Sequence, residues 1–254
     1  MGLLSGRNAL VMGVANRWSI AWGITQAFLR EGARFVFTCE ERNEDTVRKL
    51  VADLSDAVVI RCDVTQDQDL ERLREELRRS VERVDVLVHS IAFAKTEDLR
   101  GRFVDTSRDG YLLAHNVSAY SLVAAARTVE PLMPRGGAIV TLTFAASGRV
   151  FPNYNVMATA KAALETSVRY LAYELGEKGI RVNAISAGPI KTASARAVAG
   201  LSGFIEAYAQ RAPLRRTVDQ EEVGDAAVLL CSDLARGVTG QVLFVDAGYH
   251  VMGI

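Results

Sequence analysis

The 254-residue sequence contains few cysteines and histidines, three of each. Cys39, Cys62 and Cys231 lie far apart and form no Cys-x-x-Cys pair, so we expect no disulfide framework, as is usual in a reducing compartment. The histidines do not cluster with the cysteines, which argues against a metal site. Pro-rich linkers, low-complexity stretches and repeats of fixed period are also missing, so we expect a single domain over residues 1–254.

Net charge and long hydrophobic runs are missing as well. Lysine plus arginine equal aspartate plus glutamate, 30 against 30, so no global field attracts nucleic acid or an anionic membrane. No stretch of about 18 apolar residues is present to span a bilayer. The first residues lack the basic region of a secretory signal, and Gly6 stands where myristoylation requires Ser or Thr. We therefore expect a cytoplasmic protein with no nucleic-acid or membrane partner.

What the sequence does contain is a regular alternation of strand-like and helix-like segments. Several strand candidates are nearly continuous in Val, Ile and Leu, which is typical of parallel strands covered on both faces. The alternation predicts an α/β fold with a Rossmann-type, doubly wound seven-stranded parallel sheet and helices on both faces. The stretch 191–203 has no clear pattern and indicates a mobile loop or a loosely held helix. The predicted strands are 8–14, 34–39, 57–64, 84–92, 137–144, 181–186 and 241–247. The first predicted helix begins at Ser19, and the others cover 67–82, 107–131, 157–177 and 219–232.

The first strand leads into the turn GVANRWSIAWG, where a dinucleotide-binding fold holds its pyrophosphate. Such a site needs a tight turn and a helix N-terminus aimed at the phosphates. Gly13 fits the turn, Ser19 fits the helix cap, Gly23 would let helix and strand pack closely, and Gly32 would end the helix. The usual Gly-x-Gly-x-x-Gly is absent, so an ordinary strand-to-helix turn is the alternative.

The ends of the next three strands carry further candidates. Glu40 follows the second strand, where an acid accepts hydrogen bonds from an adenosine ribose and repels a 2′-phosphate, which favours NAD over NADP. Arg42 would act in the opposite sense. The alternative to a ribose contact by Glu40 is that the acids at the end of this strand are only solvated side chains. At the end of the third strand, Asp63 and Val64 would hold adenine, unless Asp63 only caps the segment after it. The fourth strand ends in a stretch with small residues that would let a ribose approach the backbone, and its candidates are Ser90, Ile91 and Ala92.

Tyr154 and Lys161 stand seven positions apart, at the start of a long apolar helix pattern. Seven residues of an ideal helix turn by about 700°, close to two full turns, so the two side chains share a face. Pro152 places Tyr154 at the helix entrance. A phenol donates to a developing oxyanion, and an ammonium group nearby stabilises the negative charge. A partly buried tyrosine beside a snorkelling lysine is the alternative.

The segments GVANRWSIAWGI, CDV, HSIAFA, NYNVMATAK and RVNAISAGPIKT, in this order and spacing, resemble the short-chain dehydrogenase/reductase superfamily. More specifically, nearly the whole chain is similar to the NADH-dependent enoyl-[acyl-carrier-protein] reductases of bacterial type II fatty-acid synthesis, the group known as FabI. Most short-chain dehydrogenases place the lysine four after the tyrosine, where this chain has Ala158. The phosphate turn also has the divergent Gly-x5-Ser-Ile-Ala form.

The resemblance implies NADH-dependent reduction of the trans-2 double bond of an enoyl thioester on acyl carrier protein, and a homotetramer. Tyr154 would donate to the thioester carbonyl, and Lys161 would bind the nicotinamide ribose. The substrate would contact Ala94, Phe144 and Tyr154, beside a mobile substrate-binding segment at about 191–211. The other implied NAD contacts are Gly13, Ser19, Ile20, Glu40, Asp63, Val64, Ser90, Ile91, Ala92, Ile190, Lys191, Thr192, Ala193 and Ser194.

Three positions depart from the family pattern and keep other functions open. Phe144 replaces a second tyrosine, and the neighbouring Thr143 points to the opposite face of its strand. After Arg196 no basic residue follows until Arg211, which weakens docking of an acidic carrier and leaves an enoyl-CoA substrate open. Asn116 stands where ordinary short-chain dehydrogenases keep an asparagine. A ketone or alcohol dehydrogenase is the other enzyme considered, and a non-catalytic dinucleotide-binding regulator is the third hypothesis.

Overall fold

Seven parallel strands form one continuous sheet in this computed structural model, which describes residues 2–190, 192 and 201–253. Each strand lies within, or within one residue of, a segment that the sequence predicted, so the predicted Rossmann-type α/β fold is confirmed. The strands are β1 (Asn8–Met12), β2 (Arg34–Cys39), β3 (Val58–Arg61), β4 (Val86–His89), β5 (Gly137–Thr143), β6 (Ile180–Ala187) and β7 (Val242–Val245), and their order across the sheet is β3-β2-β1-β4-β5-β6-β7.

Helices connect these strands, and the predicted ones are present with small shifts of their ends. The predicted helix 107–131 is interrupted, because a π-helical turn at Asn116–Tyr120 separates its two parts. None of the described helices is both long enough and apolar enough to cross a bilayer. The helices are α1 (Ile20–Arg30), α2 (Glu44–Leu50), α3 (Asp67–Ser80), α4 (Arg108–His115), α5 (Ser121–Val129), α6 (Asn155–Gly176), α7 (Leu201–Arg211) and α8 (Gln220–Cys231).

Helix α2 was not predicted from the sequence, and α7 begins within the stretch 191–203, for which a mobile loop or a loosely held helix was expected. Helix α2 is only 7 residues long and buries Val47, so it shows no apolar stripe. Helix α7 falls in the segment where the sequence indicated mobility, and its Tyr208 is buried. Lys191 and residues 193–200 lie outside the described residues, so the mobility of the segment 191–211 stays a prediction.

Both faces of the sheet are covered by apolar side chains, as the uninterrupted Val, Ile and Leu runs predicted. Because successive strand residues point to opposite faces, Ala9 and Val11 pack with the core that contains α1 and α8. Leu10 and Met12 pack with the second core, which contains α3, α5 and α6. This arrangement leaves the carboxyl ends of the strands as the open edge where a site can form.

The first helix begins and ends at the predicted residues. The hydroxyl of Ser19 accepts a hydrogen bond from the backbone N–H of Trp22 at 3.3 Å, which satisfies one of the unpaired donors of the first turn. Gly32 follows the helix with a φ of +83°, a conformation that favours glycine. The cap fixes the direction in which the N-terminus of α1 points.

Gly13 brings the ends of β1 and β4 together. Its φ is +99°, and a Cβ atom built on it would lie 2.0 Å from the carbonyl oxygen of Ser90. No residue with a Cβ atom fits there, because the obstructing carbonyl of Ser90 is backbone and cannot move aside as a flexible side chain would. The turn after β1 and the segment after β4 therefore form one continuous surface.

Gly23 packs against a helix, so the expected contact with a strand was wrong. A Cβ atom on Gly23 would lie 2.5 Å from the carbonyl oxygen of Gln220, and one on Gly224 would lie 2.8 Å from the carbonyl oxygen of Gly23. The two glycines let α1 and α8 approach backbone to backbone. The sequence could not indicate this contact, because the two residues lie far apart along the chain.

We expect Gly23→Ala to lower the free energy of unfolding by about 1–3 kcal/mol, because the new methyl group forces α1 and α8 apart. Gly176→Ala is the matched control, since nothing lies within 4 Å of a Cβ atom at Gly176 in α6. That control should be neutral, or more stable by up to ~1 kcal/mol. Urea unfolding measures both variants, and equal stability of Gly23→Ala and the wild type would contradict the packing described.

Candidate active site

A cleft with a volume of about 520 Å³ runs along the carboxyl edge of the sheet. It runs from the end of β2, past the turn after β1 and the ends of β4, β5 and β6, to α7. Most of the residues predicted from the sequence line it. Those residues are Gly13, Ser19, Ile20, Glu40, Val64, Ser90, Ile91, Ala92, Ala94, Phe144, Tyr154, Lys161, Ile190 and Thr192.

The turn after β1 has the features of an anion site. Gly13, Asn16, Ser19 and Ile20 line the cleft at the N-terminus of α1. The hydroxyl of Ser19 donates to the carbonyl of Asn16 at 2.7 Å, which closes the turn. Unpaired N–H groups and the positive end of the helix dipole favour a phosphate at such a position.

An ion pair stands at the far end of the cleft, after β2. The carboxylate of Glu40 contacts the guanidinium of Arg42 at 2.6 Å, and their side chains are 48% and 67% exposed. Both residues line the cleft. Glu40 was predicted to favour NAD over NADP and Arg42 to act in the opposite sense. The two residues form one ion pair, in which Arg42 partly neutralises Glu40.

Asp63 and Val64, which were predicted to act together, differ in their positions. Val64 lines the cleft, whereas Asp63 lines an adjoining groove along β3. One carboxylate oxygen of Asp63 accepts from the backbone N–H of Thr65 at 2.9 Å and from its hydroxyl at 2.7 Å. This geometry is the capping role that the sequence left open, and the adenine contact of Asp63 stays a prediction.

The segment after β4 is fixed from behind by the π-helical turn. The hydroxyl of Ser118, in that turn, accepts from the backbone N–H of Phe93 at 3.0 Å and donates to the carbonyl of Phe93 at 3.1 Å. Asn116 begins the same turn. A π-turn changes the direction in which the following side chains point, and here it places a serine against the cleft-lining segment.

Tyr154 occupies the N-cap position of α6 and lines the cleft. Its neighbours Asn153 and Asn155 have φ values of 65° and 39°. Asparagine tolerates positive φ better than most residues, and such conformations occur often at functional sites. Burial raises the pKa of the Tyr154 phenol above its ordinary value, so the hydroxyl stays protonated at neutral pH.

Lys161 is buried at 6% exposure, and its ammonium group donates to the carbonyl of Leu142 at 2.7 Å. Burial lowers the pKa of Lys161 to about 8, and Glu165 raises it in part. Lys161 and Tyr154 line the same cleft, as the spacing of seven residues predicted. The lysine is therefore not a snorkelling surface residue, because its charge lies inside the protein.

The segment after β6 covers one side of the cleft near Lys161. Ile190 and Thr192 line the cleft, and the N–H of Thr192 donates to the carbonyl of Ile190 at 2.8 Å. Lys191, Ala193 and Ser194, which were also predicted to contact the cofactor, lie outside the described residues.

An aromatic group surrounds the substrate end of the cleft, and the sequence did not reveal it. The ring of Phe144 lies 5.0 Å from that of Tyr154 and 4.9 Å from that of Phe151. Phe204, on α7, lies 5.6 Å from Phe151 and also lines the cleft. Phe144, Phe151 and Tyr154 are close along the chain, but Phe204 comes from a distant segment, so only the fold completes the group.

Thr143 does not offer its hydroxyl to the cleft in place of the missing tyrosine. It donates to a carboxylate oxygen of Glu165 at 2.6 Å, as expected from the alternation of side chains along a strand. Neither Glu165 nor the carbonyl of Leu142 was predicted from the sequence as part of the site. Glu165 stands four residues after Lys161 on a predicted helix, and that spacing is a signal that could have indicated it.

The fold, the phosphate turn and the Tyr154–Lys161 pair define an oxidoreductase of the short-chain dehydrogenase/reductase class. Residues 13–250 match the family described as Enoyl-(Acyl carrier protein) reductase. The chain is 53% identical to the NADH-dependent enoyl-[acyl-carrier-protein] reductase FabI of Bacillus cereus over 256 residues, covering 100% of both chains. It is 47% identical to the FabI of Aquifex aeolicus, with 100% of this chain and 95% of that one covered. The chain belongs to the enoyl-(acyl carrier protein) reductase family.

Solved structures agree with this assignment. A crystal structure of the Bacillus cereus enoyl-acyl carrier protein reductase with NADP+ and indole naphthyridinone matches with a TM-score of 0.98 and 53% identity, covering 100% of both chains. A structure of the Anaplasma phagocytophilum reductase with NAD matches with a TM-score of 0.94 and 39% identity, covering 100% of this chain and 95% of that one.

We expect the buried charge of Lys161 to give stability a measurable pH dependence. Above pH 8 the unfolded chain keeps a proton on this lysine that the folded chain has lost, so the wild type gains stability relative to Lys161→Met as pH rises. The difference should change by ~3 kcal/mol between about pH 7 and pH 10. Urea unfolding measures it at each pH. Lys178→Met, at a lysine whose side chain is 61% exposed, should give no such change. A flat difference for Lys161→Met would contradict the burial of its charge.

Proposed function

We propose that this chain reduces the trans-2 double bond of enoyl thioesters with NADH, converting enoyl-acyl carrier protein to acyl-acyl carrier protein in type II fatty-acid synthesis. One observation carries this proposal. The phenol of Tyr154 and the ammonium group of Lys161 enter a cleft that also contains an anion-binding helix terminus. The cleft therefore joins a dinucleotide cradle to a place where negative charge on oxygen is stabilised.

The residues of the cleft fit a nicotinamide dinucleotide. Gly13 leaves no room for a Cβ atom where the phosphate turn meets β4, and the N-terminus of α1 points into the cleft. When bound, the nicotinamide supplies the hydride that adds to C3 of the enoyl group. The residues that we assign to the cofactor are Gly13, Ser19, Ile20, Glu40, Asp63, Val64, Ser90, Ile91, Ala92, Lys161 and Ile190–Ser194.

Tyr154 donates a hydrogen bond to the thioester oxygen, where negative charge collects after attack at C3, and C2 of the enolate then takes up a solvent proton, which completes the reduction. Burial keeps the phenol protonated, so it is a donor throughout the neutral pH range. Its ring packs against that of Phe144, with 5.0 Å between the centroids, which restricts the side chain before substrate binds. A preorganised donor of this kind contributes roughly 3–4 kcal/mol to transition-state stabilisation.

Lys161 carries a positive charge into the same cleft. With a pKa of about 8, its ammonium group is mostly charged at neutral pH although it is buried. The carbonyl of Leu142 accepts one of its three protons, and we assign the others to ribose hydroxyls of the cofactor. The charge also makes a negative oxygen near Tyr154 less costly.

The substrate end of the cleft is apolar and aromatic, which suits an acyl chain. Ala94, Phe144 and Tyr154 line this end. Phe144 cannot donate a hydrogen bond, so Tyr154 acts without a second tyrosine hydroxyl. A ketone or alcohol dehydrogenase of this class would be expected to have a serine near Phe144 and a lysine four residues after the tyrosine, and the absence of both from the sequence favours the enoyl thioester over a ketone.

Replacing Tyr154 by Phe should lower kcat for crotonyl thioester by about 10²- to 10³-fold and change KM little, because the lost donor acts mainly in the transition state. Loss of NADH absorbance measures the rate. Tyr173→Phe is the matched control, since Tyr173 is 84% exposed on the same helix and its substitution should leave the rate unchanged. If Tyr154→Phe instead raised KM and spared kcat, Tyr154 would only help to bind substrate.

We assign the acyl group to acyl carrier protein because the relatives named above are reductases of that carrier's thioesters. The scarcity of basic residues between Arg196 and Arg211 makes coenzyme A the alternative carrier. We expect kcat/KM to be higher for crotonyl-acyl carrier protein than for crotonyl-coenzyme A when both are assayed with NADH. The reverse order would assign the reaction to coenzyme A thioesters.

We also propose a cytoplasmic homotetramer. All three cysteines are buried and free, as is usual in a reducing compartment. Large apolar side chains remain exposed on one chain, with Tyr170 and Tyr173 of α6 at 66% and 84% exposure and Phe244 of the edge strand β7 at 39%. Exposed apolar surface of this kind favours association. Light scattering of the purified protein tests the assembly, and a mass of one chain, 27.6 kDa, would contradict it.

A further inference from the structure

The cation of Lys161 and the carboxylate of Glu165 are both attached to the end of β5. The ammonium group of Lys161 donates to the carbonyl of Leu142 at 2.7 Å. The next residue, Thr143, donates its hydroxyl to Glu165 at 2.6 Å. Lys161 and Glu165 are four residues apart on α6, so their side chains lie on the same side of the helix. Leu142 thus binds a positively charged side chain, and the next strand residue, Thr143, binds a negatively charged one.

The other ionisable groups around Lys161 carry no compensating charge. His89 of β4 is fully buried, with its ring nitrogens 2.9 Å from the hydroxyl of Thr141 and 2.8 Å from that of Ser121. Burial and the charge of Lys161 lower the pKa of His89 to about 3, so the ring is neutral. The phenol of Tyr154 is neutral as well. Among the described residues that act electrostatically on Lys161, Glu165 is therefore the negative one.

Glu165 acts on Lys161 without a close ion pair, because no contact within 4.0 Å joins their charged atoms in the described part of the chain. A carboxylate at this separation still favours the charged form of a buried ammonium group. It leaves the ammonium protons that Leu142 does not accept available to groups in the cleft, whereas a contact ion pair would occupy them. The Thr143 hydroxyl keeps the carboxylate at that separation.

We propose that Glu165 is a positioning residue for Lys161: held by Thr143, its carboxylate keeps the buried ammonium group charged and directed at the cleft. The inference rests on the proposed function, because Lys161 has to act as a cation in that reaction. It assigns a purpose to a carboxylate that does not line the cleft and to a threonine that cannot replace the missing tyrosine.

A direct test measures the titration of Lys161 in the full chain without cofactor. The sequence has five lysines, so NMR of protein labelled with 13C-lysine gives few signals, and Lys161→Arg identifies the one required. We expect the wild-type signal to titrate near pH 8. In Glu165→Gln the midpoint should fall by about one unit, a roughly tenfold smaller ratio of charged to neutral lysine at a given alkaline pH.

Three further variants separate positioning from a general structural effect. Thr143→Val should move the Lys161 midpoint in the same direction as Glu165→Gln, and Thr143→Ser should restore it because the hydroxyl is kept. Glu174→Gln removes an exposed carboxylate from the same helix and should leave the midpoint unchanged. If Glu165→Gln fails to fold, the comparison of Thr143→Val with Thr143→Ser carries the test.

The pH dependence of kcat/KM for NADH gives the functional readout. The alkaline fall in activity should shift to lower pH in Glu165→Gln by the same amount as the NMR midpoint. A Lys161 midpoint that is unchanged in Glu165→Gln and Thr143→Val overturns the inference, as does a uniform loss of activity at every pH. A wild type that titrates as expected but does not reduce crotonyl thioesters contradicts the proposed function and leaves the pairing of Glu165 with Lys161 intact.

Discussion

The site depends on one buried charge, the ammonium group of Lys161. Removing an ammonium group from water is costly unless protein groups replace its hydration. Here the carbonyl of Leu142 accepts a hydrogen bond from the ammonium group at 2.7 Å, and Glu165 follows four residues later on the same helix. The compensation is incomplete, so the pKa falls to about 8. This balance keeps the lysine charged near neutral pH while its remaining protons serve the cleft.

The parallel sheet makes this arrangement possible because its strands all end at the same edge. Gly13 lets the ends of β1 and β4 touch, which joins the phosphate turn to the segment that faces Tyr154. The π-helical turn then supports that segment through Ser118. Backbone contacts thus define the half of the cleft assigned to the dinucleotide, whereas side chains from α6 and β5 define the half that contains Tyr154 and Lys161.

Phe144 gives the substrate end of this chain its own character. Its ring packs between Phe151 and Tyr154, so the position that would hold a second tyrosine hydroxyl becomes part of an aromatic surface. Thr143 does not compensate, because its hydroxyl is engaged with Glu165. Stabilisation of charge on the substrate oxygen therefore falls to Tyr154, with Lys161 behind it.

Local sequence determined the seven strands and their burial on both faces, through apolar runs, and the caps of α1, through Ser19 and Gly32, because these features depend on neighbours along the chain. The same local logic placed Tyr154 and Lys161 on one side of α6. Local patterns failed for α2, which buries too little to show a stripe, and for Gly23, whose contact is with α8. The tertiary structure alone decided the depth of Lys161, the position of Asp63 outside the cleft and the approach of Phe204 to the rings around Phe144. Burial and approach between distant segments set those properties, and neither quantity is encoded in the spacing of residues along one helix or strand.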